Sequence, residues 1–240
     1  KRMRFRLWAS MPRSKSSQAE NSNKPVETNK TGPPPKTGCA CALGNPVIIA
    51  TGEKLLEESD FDLPGLIPLV WRRRYRSGDV EQGWFGQGWS TPLGVSLRLN
   101  AKGLLFKDEQ GRAIELPRLE VGQQHFEPYE KFNVHHPQPD EWMLEFKGGA
   151  QYWFTRHHAS QWRLPLGVIA DRNGNAVHLF WNTADALAAV TALDPFADPE
   201  LQRIEDSAGR VIALDWQRIA TVHRPSGLTR LAEVRLVQGP

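Results

Sequence analysis

A turn signature that returns in register constrains this chain more than any other feature. The stretch Ile169-Ala-Asp-Arg-Asn-Gly-Asn-Ala-Val-His-Leu-Phe-Trp181 recurs thirty-five positions later as Ile204-Glu-Asp-Ser-Ala-Gly-Arg-Val-Ile-Ala-Leu-Asp-Trp216. Each copy reads as a β-hairpin. An apolar strand ends at Asp171 or Asp206, the glycine three residues on (Gly174, Gly209) supplies a positive φ, and a second strand runs away from it. A third copy, Phe106 to Leu116, carries Asp108 and Gly111 at the same offsets. A fourth, Val222-His-Arg-Pro-Ser-Gly227, keeps the Val and the Gly without the Asp. Repetition of a hairpin selects an architecture of successive units rather than one isolated turn.

The 240 residues suffice for one large all-β domain or two small ones with a real core. Nine Trp and eighteen Pro at 40% apolar content fit short strands broken by rigid turns. The formal charge of +3 hides an asymmetry. Residues 1–38 carry +7, leaving −4 on the rest, so the basic character belongs to the N-terminal tail. A nucleic-acid interface wants a basic face on the folded body, and this distribution argues against one.

The basic cluster at the start, Lys1 to Trp8, is followed by no apolar run of signal-peptide type, and no stretch approaches the roughly twenty apolar residues of a membrane span. With no Met at position 1, the chain is read as a piece of something longer or as starting at Met3 or Met11. Residues 1–43 read as a basic Pro/Ser-rich linker, mostly disordered because it cannot bury enough to offset its ordering entropy, joining the body to something upstream. Cys39 and Cys41 have four open readings: a metal half-site, a redox pair, a strained small-ring disulfide, or two small buried residues at the start of the fold. Sparse cysteine suits a protein made in a reducing cytoplasm.

Further along, Val47–Ala50, Lys54–Phe61, Leu69–Arg76 and Val95–Leu99 read as strands, with the glycine-rich aromatic block Gln82–Ser90 as a loop between the last two. The segment 183–193 reads as a short helix or an inserted loop, ended by Asp194-Pro195. His135-His136 and His157-His158 are candidate metal ligands, but adjacent strand residues point to opposite faces and no metal site is expected. The acidic group Glu53, Glu57, Glu58, Asp60 and Asp62 reads as a solvated edge rather than a hydrolase pair. Arg72–Arg74 reads as part of a strand rather than a nucleic-acid patch. Ser90, Ser96 and Ser160 lack a nucleophile-elbow context. No cofactor and no catalytic residue is expected.

The order Gly44-Asn-Pro-Val, Thr51-Gly-Glu-Lys, Asp60-Phe-Asp-Leu-Pro, Arg74-Tyr-Arg-Ser and Gly86-Gln-Gly-Trp-Ser-Thr-Pro-Leu93 resembles the opening module of Rhs/YD-repeat proteins. The hairpins at Asp171 and Asp206 resemble degenerate members of the repeat array that follows it, with Phe180-Trp181 and Asp215-Trp216 where a full Tyr-Asp signature would stand. The resemblance covers roughly residues 44–237. It implies an all-β chain of successive hairpins forming a curved sheet, the N-terminal part of a hollow shell, with an opening module at 44–100 and degenerate repeats at 101–240. In bacterial members such a shell encloses a C-terminal toxin domain, follows an upstream spike-tip domain, and is loaded on a type VI secretion apparatus for interbacterial competition.

What the resemblance implies for this chain is a scaffold, non-catalytic by itself. It would partner the rest of the shell, the enclosed toxin, the spike-tip domain and the secretion apparatus, with no nucleic-acid partner and no stable membrane span. It would be made in the cytoplasm and then secreted into target cells. It also implies chain cleavage near Asn45, Pro46 and Val47, with Glu53 assisting. The family's C-terminal self-cleavage motif does not occur, so the chain is expected to be the start of a shell that associates with the rest, self-associates or is poorly soluble. The reading from another class is a free-standing β-propeller or sandwich whose Trp84, Trp89, Trp153 and Trp162 stack on sugars or hold a protein.

Overall fold

The computed structural model describes residues 4–6, 47–48, 51–157, 161–182, 200–221 and 224–238. Among these residues regular structure is β throughout, apart from one 3-10 turn at Pro92–Gly94. A first group of strands is β1 (Arg4–Arg6), β2 (Leu55–Leu63), β3 (Leu69–Arg76), β4 (Gln82–Gly83), β5 (Gly86–Gln87) and β6 (Trp89–Ser90). Next come β7 (Ser96–Leu99), β8 (Gly103–Lys107), β9 (Ala113–Pro117), β10 (Gln124–Glu127), β11 (Phe132–Gln138) and β12 (Glu141–Phe146). The last six are β13 (Gln151–Thr155), β14 (Arg163–Ala170), β15 (Ala176–Trp181), β16 (Leu201–Glu205), β17 (Val211–Thr221) and β18 (Arg224–Gln238).

Thirteen strands form one antiparallel sheet, ten of them along the path β1-β18-β17-β16-β15-β14-β13-β12-β11-β10, and the path does not close on itself among the described residues. From β10 to β18 each strand pairs with its successor in sequence, through short connections except between β15 and β16, which pair across residues 182–200. The ribbon β7-β8-β9 joins through β14, whose first residues Arg163–Pro165 pair with β7 while its later ones pair with β13 and β15. A three-stranded sheet β2-β3-β6 and the small β4-β5 ribbon complete the structure.

Period-two alternation decides which face is buried. Val177, Leu179, Ile204, Ile212, Leu214 and Val234 point to one side and are nearly inaccessible, whereas His178, Phe180 and Arg203 on the same strands are exposed. Phe132, Val134, Trp142, Leu144 and Phe154 extend the buried face toward β10, with Phe106 edge-on to Phe132 and Phe154. The expected fourth turn is placed differently. Thr221 pairs with Arg224, and Gly227 lies within β18. Without an Asp to gather the backbone donors, nothing fixes a reversal at that glycine. Cys39, Cys41, Asn45, Pro46, His158, Ser160 and the 183–193 segment lie outside the described residues.

Candidate functional site

The three Asp-containing turns share one wiring. In each, the Asp N–H donates to the carbonyl four residues on, at 3.0 Å for Asp108, Asp171 and Asp206 alike. Its Oδ1 accepts two backbone N–H groups, from Gln110 and Arg112, from Asn173 and Asn175, and from Ala208 and Arg210. Its Oδ2 accepts the side chain at the fourth position, Arg112 at 2.7 Å, Asn175 at 2.8 Å or Arg210 at 2.6 Å. The glycine three residues on has φ of +75°, +82° and +75° in turn. A short carboxylate that satisfies local donors is what makes Asp a turn former. Hydrogen bonding by Asn175, ahead of the backbone donors, holds the Asp171 carboxyl below its ordinary range.

The thirty-five-residue period extends beyond the turns. Trp181 Nε1 donates to Leu166 O at 2.7 Å, and Trp216 Nε1 donates to Leu201 O at 2.8 Å. The β13–β14 register slips between Trp153 and Phe154, and the β15–β16 register slips between Phe180 and Trp181, leaving Gly167 and Gln202 as the extra residues. Such bulges bend a strand and increase its twist.

The β2-β3-β6 module is seated on this repeated framework. Trp84 packs edge-on against Trp181 (centroids 5.9 Å apart) and Trp216 (5.5 Å), lies 6.1 Å from Trp71, and offers its carbonyl to the Leu231 N–H at 2.8 Å. At the Asp206 turn, the Ser207 hydroxyl bridges the N–H and carbonyl of Ile67, and Arg210 donates to Pro64 O at 2.6 Å. At the Asp108 turn, Ser90 Oγ donates to Glu109 O at 3.0 Å and Arg74 meets the Glu109 carboxylate at 3.3 Å. Lys107 and Arg98 close on Glu81 between the two parts. Burial pushes the Glu81 carboxyl up, but hydrogen bonds and charge from Arg98 and Lys107 outweigh it, and its pKa falls to about 2.

Inside the module the acids lie along a partly solvated edge, with Glu57, Glu58 and Asp62 exposed, and arginines engage Glu57, Glu58 and Asp60. Register pairs Glu57 with Arg74 and Glu58 with Arg73, so opposite charges face one another across β2 and β3. The nearly buried Arg73 is held by Asp60 and Glu58 and lies over the rings of Phe85 and Trp89. Arg72 and Arg74 occupy the other face with Glu57. Gly83 is required by space, since a Cβ there would stand 1.8 Å from Trp89 O.

Val47 pairs with Lys54, and the Ile48 N–H donates to Glu53 O at 2.8 Å, so residue 53 lies beside the 47–48 segment. The Glu53 carboxylate itself accepts Arg76 Nη2 at 2.8 Å. His135 faces Glu145 at 3.8 Å, while His136 is buried on the other side, stacked on Trp142 at 4.5 Å with Nδ1 on Leu119 O. Among the described residues no three His, Cys, Asp or Glu side chains gather as metal ligands. No helix among them is long and apolar enough to cross a membrane. The Asp and Gly turn residues were legible in the sequence; the tryptophan-to-carbonyl bonds and the bulges were not, and the thirty-five-residue spacing of Trp181 and Trp216 was their one signal.

Residues 44–116 match a family model described as a domain of unknown function, DUF6531. The chain is 35% identical over 199 residues to Toxin protein Tse5 of Pseudomonas aeruginosa, covering 76% of this chain and 14% of the relative. It is 29% identical over 125 residues to Double-stranded DNA deaminase toxin A of Burkholderia cenocepacia, covering 51% and 9%. It is 39% identical over 54 residues to Probable deoxyribonuclease RhsA of Dickeya dadantii, covering 22% and 4%. The chain thus spans a small part, under a sixth, of the length of each of these relatives.

Proposed function

The chain belongs to the Rhs-type polymorphic toxin family, and we propose that it is the N-terminal scaffold of a shell that encloses and delivers a C-terminal toxin domain. Its role is structural rather than catalytic, with type VI secretion in competition between bacteria as the route. On this reading it is made in the cytoplasm, joins an upstream spike-tip domain, and leaves for the target cell. The observation that carries it is the common wiring of the Asp108, Asp171 and Asp206 turns, which act as repeat-turn residues with Gly111, Gly174 and Gly209. A sheet that grows by whole hairpins, with a bulge where one hairpin meets the next, is the means of making a curved wall. The module seated on Trp181 and Trp216 holds one end of that wall. Domain limits of 44–100 and 101–240 follow the same reading, although β7 already pairs with β14 and β8.

A sugar-binding surface receives less support. Of Trp84, Trp89, Trp153 and Trp162, Trp162 is half exposed, while Trp84 and Trp89 are packed against other rings. Cleavage at Asn45–Val47 assisted by Glu53 is supported by the pairing that lays Val47 beside Lys54.

The natural full-length protein tests both statements. Trypsin should leave its C-terminal toxin region intact in the wild type and digest it in Trp84→Asp, which breaks the module's seat. Equal digestion of both would sink the shell reading. The intact mass of the same preparations reads cleavage: a break at 45–47 that Glu53→Gln abolishes is expected, and an uncut wild type refutes it.

A further inference from the structure

In two of the three repeat turns the second residue receives another part of the chain. In the Asp108 turn it is Glu109, which receives Ser90 and Arg74; in the Asp206 turn it is Ser207, which receives the Ile67 backbone. In the Asp171 turn it is Arg172, an exposed cation with no hydrogen bond or ion pair from its side chain among the described residues. Arg172 is laid close over the neighbouring turn. A Cβ on Gly149 would stand 2.2 Å from its Nε, so the glycine admits the guanidinium.

Arg172 lines an open pocket of about 490 Å³ with Lys131 and Lys147. These three cations come from three separate turns, β10–β11, β12–β13 and β14–β15. The floor is apolar, from Phe126, Pro128 and Phe146, with Asn133 and Glu145 completing the lining. Glu145 is the one acid of that lining, and it faces His135 at 3.8 Å. Lys131 and Lys147 likewise carry no side-chain ion pair among the described residues, whereas Arg73, Arg74, Arg76, Arg98 and Lys107 around the module are all paired. Lys131 also has φ of +59°, a conformation that L side chains seldom hold outside constrained sites. Its N–H donates to Glu127 O at 2.8 Å. Beside the pocket Phe126 is 54% exposed and Tyr129 90%.

We infer that this pocket docks an acidic peptide segment, its carboxylates meeting Lys131, Lys147 and Arg172 and an apolar side chain resting on Phe126, Pro128 and Phe146. The guanidinium fork of Arg172 suits a carboxylate, and cations ringing an apolar floor suit a side chain flanked by acids. A nucleic-acid strand is favoured instead by a continuous basic stripe tracking its phosphates, and Glu145 interrupts the positive lining here. The inference stands on the pocket alone and does not rest on the shell reading.

The test uses the full 240-residue chain and a fluorescein-labelled peptide, Asp-Glu-Phe-Glu-Asp, followed by anisotropy. Saturable binding is expected, weakened by about tenfold or more in a Lys147→Glu/Arg172→Glu variant with an unchanged circular dichroism spectrum. Lys131→Gly, which relieves the positive φ while removing the charge, should also weaken it. Arg118→Glu, an exposed cation outside the pocket, should leave it unchanged, and replacing the peptide's Phe by Gly should weaken binding roughly threefold or more. No saturation by about 1 mM, indifference to the pocket variants, or displacement by equimolar pyrophosphate or oligothymidylate would overturn the inference.

Discussion

Two glycines show how differently the same residue type is used. Gly174 has φ of +82° with nothing within 4 Å of where a Cβ would stand, so Gly174→Ala costs only backbone strain, about 1–2 kcal/mol. Gly83 is limited by space, because its Cβ would collide with the Trp89 carbonyl. Gly83→Ala must therefore displace main chain, and should cost more than Gly174→Ala. Urea midpoints of the two variants check the order, and a Gly174→Ala loss equal to or above that of Gly83→Ala would contradict it. Both positions sat in plain glycine-rich motifs, but only Gly174 announced its reason, through the Asp three residues before it. The need for Gly83 is set by a carbonyl six residues away that approaches through the β4–β6 loop, which no local pattern encodes.

At the scale of elements, the hairpins at Asp171 and Asp206 were legible because turn chemistry and alternation agree within a dozen residues. The face they bury was legible too. The arginine partners of the β2 acids were not: sequence alternation reads these acids as solvated, and only the cross-strand register with β3 sets Glu57 opposite Arg74 and Glu58 opposite Arg73. The link through Glu81 was equally hidden, since its partners Arg98 and Lys107 lie on β7 and β8. It has a measurable pH signature. A carboxyl whose folded pKa is depressed contributes stability that is complete above its unfolded value near 4.5 and is lost as pH falls toward about 2. Glu81→Gln should accordingly lower the urea midpoint at neutral pH, with the gap from wild type narrowing as pH falls from 4.5 toward 2. A gap that stays constant through that window would remove Glu81 from the account. Because its carboxylate is more than a third exposed, salt should also shrink the gap.

For the whole molecule, the contact that matters is Trp84 on Trp181 and Trp216, which ties the module to two successive repeats. Trp84→Ala should cost about 3 kcal/mol, the low end for a partly buried Trp. Its effect should be coupled to Trp216→Ala by about 0.5–1.5 kcal/mol. Strict additivity in that double-mutant cycle would mean the rings merely adjoin. The large-scale arrangement was legible from the repeat, but the seat was not, because it joins Trp84 to rings 97 and 132 positions further on.

Each repeat turn finds its donors and acceptors within five residues, and each tryptophan finds its carbonyl fifteen residues earlier. A unit of this kind carries its own assembly instructions. Duplication or loss of one whole unit leaves every remaining unit internally complete, so inheritance can change the length of the sheet by whole steps. The module is the exception, since Trp84 must find Trp181 and Trp216, and Ile67 and Pro64 must find the Asp206 turn. Variation in length is therefore free along the sheet and fixed at its seat.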